Sequence, residues 1–218
     1  MIIRQHLVPS TVASKVTSGK GNTRKKICIH ETDNTNAKAN ADAHARLQYN
    51  GNSRQASWHW TVDDKEAVQS FTHDYKCWAA GTSKGNNEAI HIEICVNSDG
   101  DYRKAVQNAV QLVVKILKEE KLTINDVVQH NYYSGKNCPR IIRGGTVIPW
   151  SSFIQMVKST LAPSTTSTVE DKQRKRAIAL IKNAVATKVF TSPHEGVDKY
   201  TDDQLFDYVM TYAERLLK

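Results

Sequence analysis

Residues Ala89–Val96, AIHIEICV, set Ile90, Ile92, Ile94 and Val96 alternately against His91, Glu93 and Cys95. Successive strand side chains point to opposite sides, so the pattern predicts a strand with one wholly apolar face and one face bearing an imidazole, a carboxyl and a thiol. The apolar face needs a cover, and the next segment supplies one. Asp101–Lys121 carries Val106, Ala109, Val110, Val113, Ile116 and Leu117 at helical spacing, an amphipathic helix that lies on a sheet. Lys26–His30 (KICIH), Ser57–Val62 (SWHWTV) and Asp126–His130 (DVVQH) predict three more strands, the last ending on a histidine. Two more helices are expected at Ala39–Tyr49 and Ser151–Leu161. Helices alternating with strands predict an α/β domain, with a central mixed β-sheet flanked by helices.

The clearest break in the chain is Ser159–Thr168, STLAPSTTST, whose Ser/Thr/Pro content buries too little apolar surface to fold alone. It divides the 218 residues into an expected main domain over 1–160, a linker over 161–168 and a small C-terminal helical domain over 169–218. In that last part Ala177, Ile178, Ile181, Ala184, Val185 and Val189 form one helical stripe, and Leu205, Phe206, Val209, Ala213 and Leu216 another. Thr201 and Gln204 have capping-box spacing for the second helix, and Ser192–Gly196 is the turn between the two. A pair of helices this small needs a partner surface or a second copy for stability. The run Lys172–Arg176 (KQRKR) reads as a solvated helix face that could also touch anionic polymer.

Charge narrows the partners without choosing one. A formal net charge of +8 implies attraction to polyanions such as nucleic acid, an anionic membrane surface or a teichoic-acid-bearing wall. The basic residues are dispersed and not interleaved with aromatics, which disfavours a nucleic-acid module. The N-terminus MIIRQHLVPS lacks the run of about 7 to 15 apolar residues that a signal peptide needs, and no stretch is long enough to span a bilayer. The expectation is a protein made in the cytoplasm with no membrane insertion. Cys28, Cys77, Cys95 and Cys138 are too scattered for a disulfide framework or zinc ribbon, and at least one is available as a lone thiolate.

Catalytic zinc takes three protein ligands of N, S or O type, held on rigid elements, and keeps one position open. His130 and Cys138 are candidates, a histidine at a strand end and a cysteine eight residues on across a Ser-Gly turn that can fold the thiolate back. His30, at another strand end, is the candidate third ligand. His59 is a candidate substrate contact or neighbour of a ligand. Trp58 is read as core or as a cleft-rim ring able to stack on a sugar or peptide, and His91, on the face of Glu93, as lining the site. Trp60 and Trp78 are read in the same way as Trp58, and Cys28, Cys77 and Cys95 as buried thiols.

Taken together, ICIHETDN, SWHWTVDD, IHIEIC and VVQHNYYSGKNCPR resemble the type-2 N-acetylmuramoyl-L-alanine amidases, a family related to peptidoglycan recognition proteins and common among endolysins of phages that infect Gram-positive bacteria. The resemblance spans roughly Ile27–Leu161. It implies an amidase/peptidoglycan-recognition-like fold and a Zn2+ ion held by His30, His130 and Cys138. It also places the family's catalytic glutamate at Glu93 and its lysine, two residues before the cysteine, at Lys136. Some members carry a catalytic tyrosine where this chain has Trp58, whose indole cannot transfer a proton, so acid–base work falls to Glu93.

The implied reaction is hydrolysis of the amide between N-acetylmuramic acid and L-alanine in bacterial peptidoglycan, leading to lysis once a membrane pore releases the enzyme. The helical pair at the C-terminus then serves either to bind secondary wall polymers or to form a homodimer. Two rival readings differ in sequence. Noncatalytic binders of the same fold lack the cysteine ligand, and zinc proteases need an HExxH helix that His30–Glu31 does not begin.

Overall fold

The structure is a computed structural model that describes residues 1–162, 166–190, 194 and 196–216. It divides into two compact units, Met1–Leu161 and Ala162–Lys218.

In chain order the first unit contains β1 (Ile2–Gln5), α1 (Ser10–Val16), β2 (Thr17–Lys20), β3 (Lys26–Glu31), α2 (Ala41–Tyr49), β4 (Trp60–Val62), β5 (Glu66–Gln69), β6 (Tyr75–Cys77), α3 (Ser83–Glu88), β7 (Ala89–Ile94), α4 (Tyr102–Glu119), β8 (Val127–Gln129), α5 (Asn131–Ser134), α6 (Arg140–Gly144) and α7 (Trp150–Leu161). Six strands make one mixed sheet in the order β1-β5-β4-β7-β3-β8, and β2 and β6 pair separately. Within the large sheet β4 and β5 are antiparallel while the other neighbours are parallel. The expected central mixed β-sheet flanked by helices is therefore present.

One face of the sheet is the main core. Ile27, Ile29, Ile90, Ile92 and Ile94 pack with Val106, Ala109, Val113, Ile116 and Leu117 of α4 and with Phe153 and Val157 of α7. Asp101 starts α4 by accepting a hydrogen bond from the Lys104 N–H, satisfying a donor that the first helical turn leaves free. Asn40 does the same for α2 through the Ala43 N–H. Alternation sends Cys28, His30, His91 and Glu93 to the other face, where α2 packs through Ala41 and Ala45 on Val68 and Cys95.

Several boundaries differ from those expected. β4 begins at Trp60 because Ser57 and Trp58 are committed elsewhere: the Ser57 N–H donates to the Trp78 carbonyl, and the Trp58 N–H donates to the Gln48 side chain. β8 stops at Gln129, so His130 follows the strand instead of ending it. The His130 N–H still donates to the Ile29 carbonyl of β3, but its helical dihedrals and the Tyr133 N–H on its carbonyl turn the chain into α5. The N-terminal segment supplies β1, which pairs with β5, and β5 and β6 were likewise not anticipated.

The second unit contains α8 (Thr166–Ala186) and α9 (Asp202–Leu216), with a short 3-10 turn at Val197–Lys199. Of the expected linker, Leu161 closes α7, Thr166 already lies in α8, and residues 163–165 fall outside the described ones. Ile181, Ala184, Phe190, Val197 and Leu205 form its core, with Tyr200, Tyr208 and Tyr212 against it. The Thr201–Gln204 capping box forms, each side chain accepting from the other residue's N–H. Of the expected turn, Ser192, Pro193 and Glu195 lie outside the described residues, as do the side chains of Phe206, Ala213 and Leu216. Among the described residues no helix is long and apolar enough to cross a membrane.

Candidate metal centre and cleft

Two strands and a loop bring the candidate ligands to one end of the sheet, and a third strand brings Glu93. His30 is the fifth residue of β3, its register partner on β7 is Glu93, and His130 follows β8 directly. These are the carboxyl ends of parallel strands, where open α/β sheets commonly bind ligands. Gly135, in the left-handed conformation at φ 73°, ends α5 and reverses the chain toward Cys138. The Asn131 N–H donating to the Cys138 carbonyl and the Asn131 amide donating to the Lys136 carbonyl close that reversal.

The result is a cluster. His30, His130 and Cys138 are all buried, and each offers a ligand atom within 4.8 Å of the other two. Cys138 Sγ lies 3.9 Å from His30 Nδ1, and Glu93 Oε1 lies 3.8 Å from the same nitrogen. Neither ring nitrogen of His130 nor Oε2 of Glu93 has a hydrogen-bond partner although all are buried. Unpaired buried polar atoms are costly, so their convergence calls for a shared ligand. Two imidazoles and a thiol are the donor set that suits a zinc ion.

Burial sets the electrostatics. It lowers the His30 and His130 imidazoles below their ordinary value, with Lys136 adding to the effect. It raises the Glu93 carboxyl to about 8 and the Cys138 thiol to about 12, while the Lys136 ammonium pulls both the other way. A bound cation would favour the thiolate and the carboxylate, supplying the charge compensation that the apolar surroundings withhold.

The cluster opens into a cleft of about 700 Å³ lined at one end by His30, Glu93, His130, Lys136 and Cys138, and farther out by His44, Arg54, Trp58 and Trp78. Lys136 is exposed and lines this space, as a residue meeting substrate must. The Trp58 indole N–H is taken up by the Thr61 hydroxyl at 2.7 Å, which fixes the ring in the cleft wall. Trp78, read like Trp58 as core or cleft rim, is half-buried and lines the cleft, its indole N–H held by Ser18. Among the described residues no tyrosine lines the cleft.

His59 and His91 lie beneath the cluster, not in the cleft. Both are fully buried; His91 Nδ1 is 3.1 Å from His30 Nε2, and the His91 N–H donates to His59 Nδ1. Substrate contact by His59 does not fit this placement. Cys28, Cys77 and Cys95 are buried free thiols, as expected.

Glu31 was noticed only as half of a failed protease motif, yet it organises the cysteine loop. Its carboxyl accepts the N–H groups of Ile141 and Ile142 at the start of α6 and the Tyr102 hydroxyl of α4. α6 begins two residues after Cys138, so this contact ties the sulfur's segment to the strand carrying His30. Its sequence signal was an acid in an otherwise buried strand.

Comparison with known proteins identifies the family. The sequence profile of the N-acetylmuramoyl-L-alanine amidase family matches residues 20–141. The N-acetylmuramoyl-L-alanine amidase CwlH of Bacillus subtilis (strain 168) is 41% identical over 140 residues, covering 63% of this chain and 54% of CwlH. XlyA, an N-acetylmuramoyl-L-alanine amidase of the same organism, is 42% identical over 129 residues, covering 58% of this chain and 42% of XlyA. The chain thus spans about half the length of these curated relatives. The solved catalytic domain of XlyA aligns with a TM-score of 0.66 at 37% identity, covering 72% of this chain and 99% of that domain.

Proposed function

Since this chain belongs to the N-acetylmuramoyl-L-alanine amidase family, we propose that it is a zinc-dependent hydrolase of the amide between N-acetylmuramic acid and L-alanine in bacterial peptidoglycan, and that it acts as a lytic enzyme of the endolysin type. The observation that carries this reading is the convergence of His30, His130 and Cys138 on one point at the head of the cleft. These three residues hold the ion. When bound, zinc supplies a Lewis acid for the scissile carbonyl and makes water nucleophilic at neutral pH.

The chain's own residues do the rest. Glu93, which lines the cleft and whose buried Oε2 has no hydrogen-bond partner among the described residues, takes the proton of the attacking water and returns it to the leaving amine. A carboxyl whose affinity for protons is raised by burial suits both halves of that transfer. Lys136 donates to the oxygen that gains charge as the carbonyl becomes tetrahedral. Trp58 and Trp78 offer apolar surface along the cleft to the substrate's sugar or peptide. The second unit is proposed to hold the enzyme on the wall.

Metal analysis of the purified protein, joined to mass spectrometry of digested peptidoglycan, tests the assignment. One zinc per chain and newly freed L-alanine amines are expected, and Cys138→Ser should lose both. New reducing sugar ends would instead mark a glycosidase, and wall binding without cleavage a receptor.

A further inference from the structure

We infer that His91 is a positioning residue that fixes His30 in the tautomer able to ligate zinc. The inference rests on the proposed role of His30 and extends it to a residue outside the cleft. A neutral imidazole has one N–H and one lone pair, so which nitrogen keeps the proton decides whether it can serve as a ligand. His30 Nδ1 faces Cys138 and Glu93, while Nε2 lies 3.1 Å from His91 Nδ1. With the proton on Nε2, His30 donates to His91 and turns its lone pair to the site. With the proton on Nδ1, that ligand is lost.

The surroundings of His91 hold its ring in place for this contact. The backbone N–H of His91 donates to His59 Nδ1 at 2.9 Å, and His59 Nε2 lies 3.1 Å from the Tyr75 carbonyl, which makes His59 an Nε2–H imidazole. The His59 and His91 rings stack at 27°, so the His91 ring is immobilised between His59 and His30. His91 Nε2 has no hydrogen-bond partner among the described residues, so Nδ1 is the ring nitrogen that pairs with His30. A proton on Nε2 leaves Nδ1 as the acceptor that His30 requires.

A second consequence follows from the same contact. Cys28, His30 and His91 also place ligand atoms within 4.8 Å of one another, so His30 stands between two sets of donors. An Nε2–H given to His91 cannot bind metal on that inner side. The hydrogen bond therefore reserves His30 for His130 and Cys138.

The test uses the full chain. Zinc affinity is measured by chelator competition in wild type, His91→Leu and His91→Asn, and nitrogen NMR of the imidazoles reads the His30 tautomer in the metal-free protein. His91→Leu has no acceptor and should weaken zinc binding by about 10- to 100-fold. His91→Asn sets an amide oxygen near the place of Nδ1 and should recover most of that loss. His30 should carry its proton on Nε2 in wild type and in His91→Asn, with an Nδ1–H population appearing in His91→Leu. A folded His91→Leu protein that binds zinc as tightly as wild type would overturn the inference. So would wild-type His30 protonated on Nδ1, a result that stands even if the leucine variant does not fold. Wild-type protein that binds no zinc would refute the ligand assignment instead, and the tautomer of metal-free wild type would still decide the role of His91.

Discussion

At the scale of single residues, roles can be separated by what each removal leaves behind. Glu93 is close to His30 but is not among the three converging ligands, so Glu93→Gln should keep its zinc while kcat falls by about 10²- to 10⁴-fold. Metal content and steady-state rates measured on one preparation check this; an unchanged rate would reassign the base. The buried histidines set an acid limit on the metal-free protein. Burial lowers His30, His44, His59 and His130 and brings His91 to about 3, whereas in the unfolded chain they protonate near the ordinary 6.5. Below that value the unfolded state binds more protons than the folded one, so stability falls as pH falls. Glu93 acts in the opposite direction. Raised from 4.5 to about 8, it holds a proton in the folded state that the unfolded state has released, so its effect weakens the fold as pH rises through that window. One carboxyl opposes five imidazoles, and the histidines dominate on the acid side. Melting temperatures of chelator-treated protein should drop between about pH 6.5 and pH 5, and a flat profile there would contradict this balance.

At the scale of elements, the cysteine loop depends on how α6 is anchored. Glu31→Gln puts an amide N–H₂ in place of a carboxyl oxygen facing the Ile141 and Ile142 N–H groups, and should cost about 1 to 3 kcal/mol. Zinc affinity should fall with it, because Cys138 lies just ahead of the loosened turn. Chemical denaturation with and without metal measures both effects, and an unaltered midpoint would show that α6 is held by other contacts.

This anchor also marks where reading the sequence stops. The alternation at residues 89–96 and the helical spacing at 101–121 were legible because each pattern is long and is enforced by burial on one side. His30, His130 and Cys138 were legible through the motifs around them. β1, β5 and β6 were missed because strands of three or four residues carry too few alternations to stand out. The Glu31 contact joins groups more than a hundred positions apart, and the His30–His91 bond runs diagonally between strands. Neither has a local signature.

At the scale of the whole molecule, the candidate centre lies entirely within Met1–Leu161, as does the segment matched by the family profile. The other unit has its own aromatic core, in which Arg215 stacks over Phe190. Removing residues 169–218 should therefore leave cleavage of soluble muropeptides close to wild type while weakening retention on whole cells. Sedimentation of labelled protein with intact walls, compared with turnover of soluble fragments, separates the two functions. Undiminished retention would assign the second unit another task, such as pairing two chains.

One feature of the centre bears on the order in which the protein is made. His30 meets Cys138 across 108 positions of sequence. A chain emerging from the ribosome displays His30 early and must wait for the sulfur, so every fragment ending short of residue 138 lacks one of the three proposed ligands. If these three residues hold the ion, the metal site is completed late and all at once.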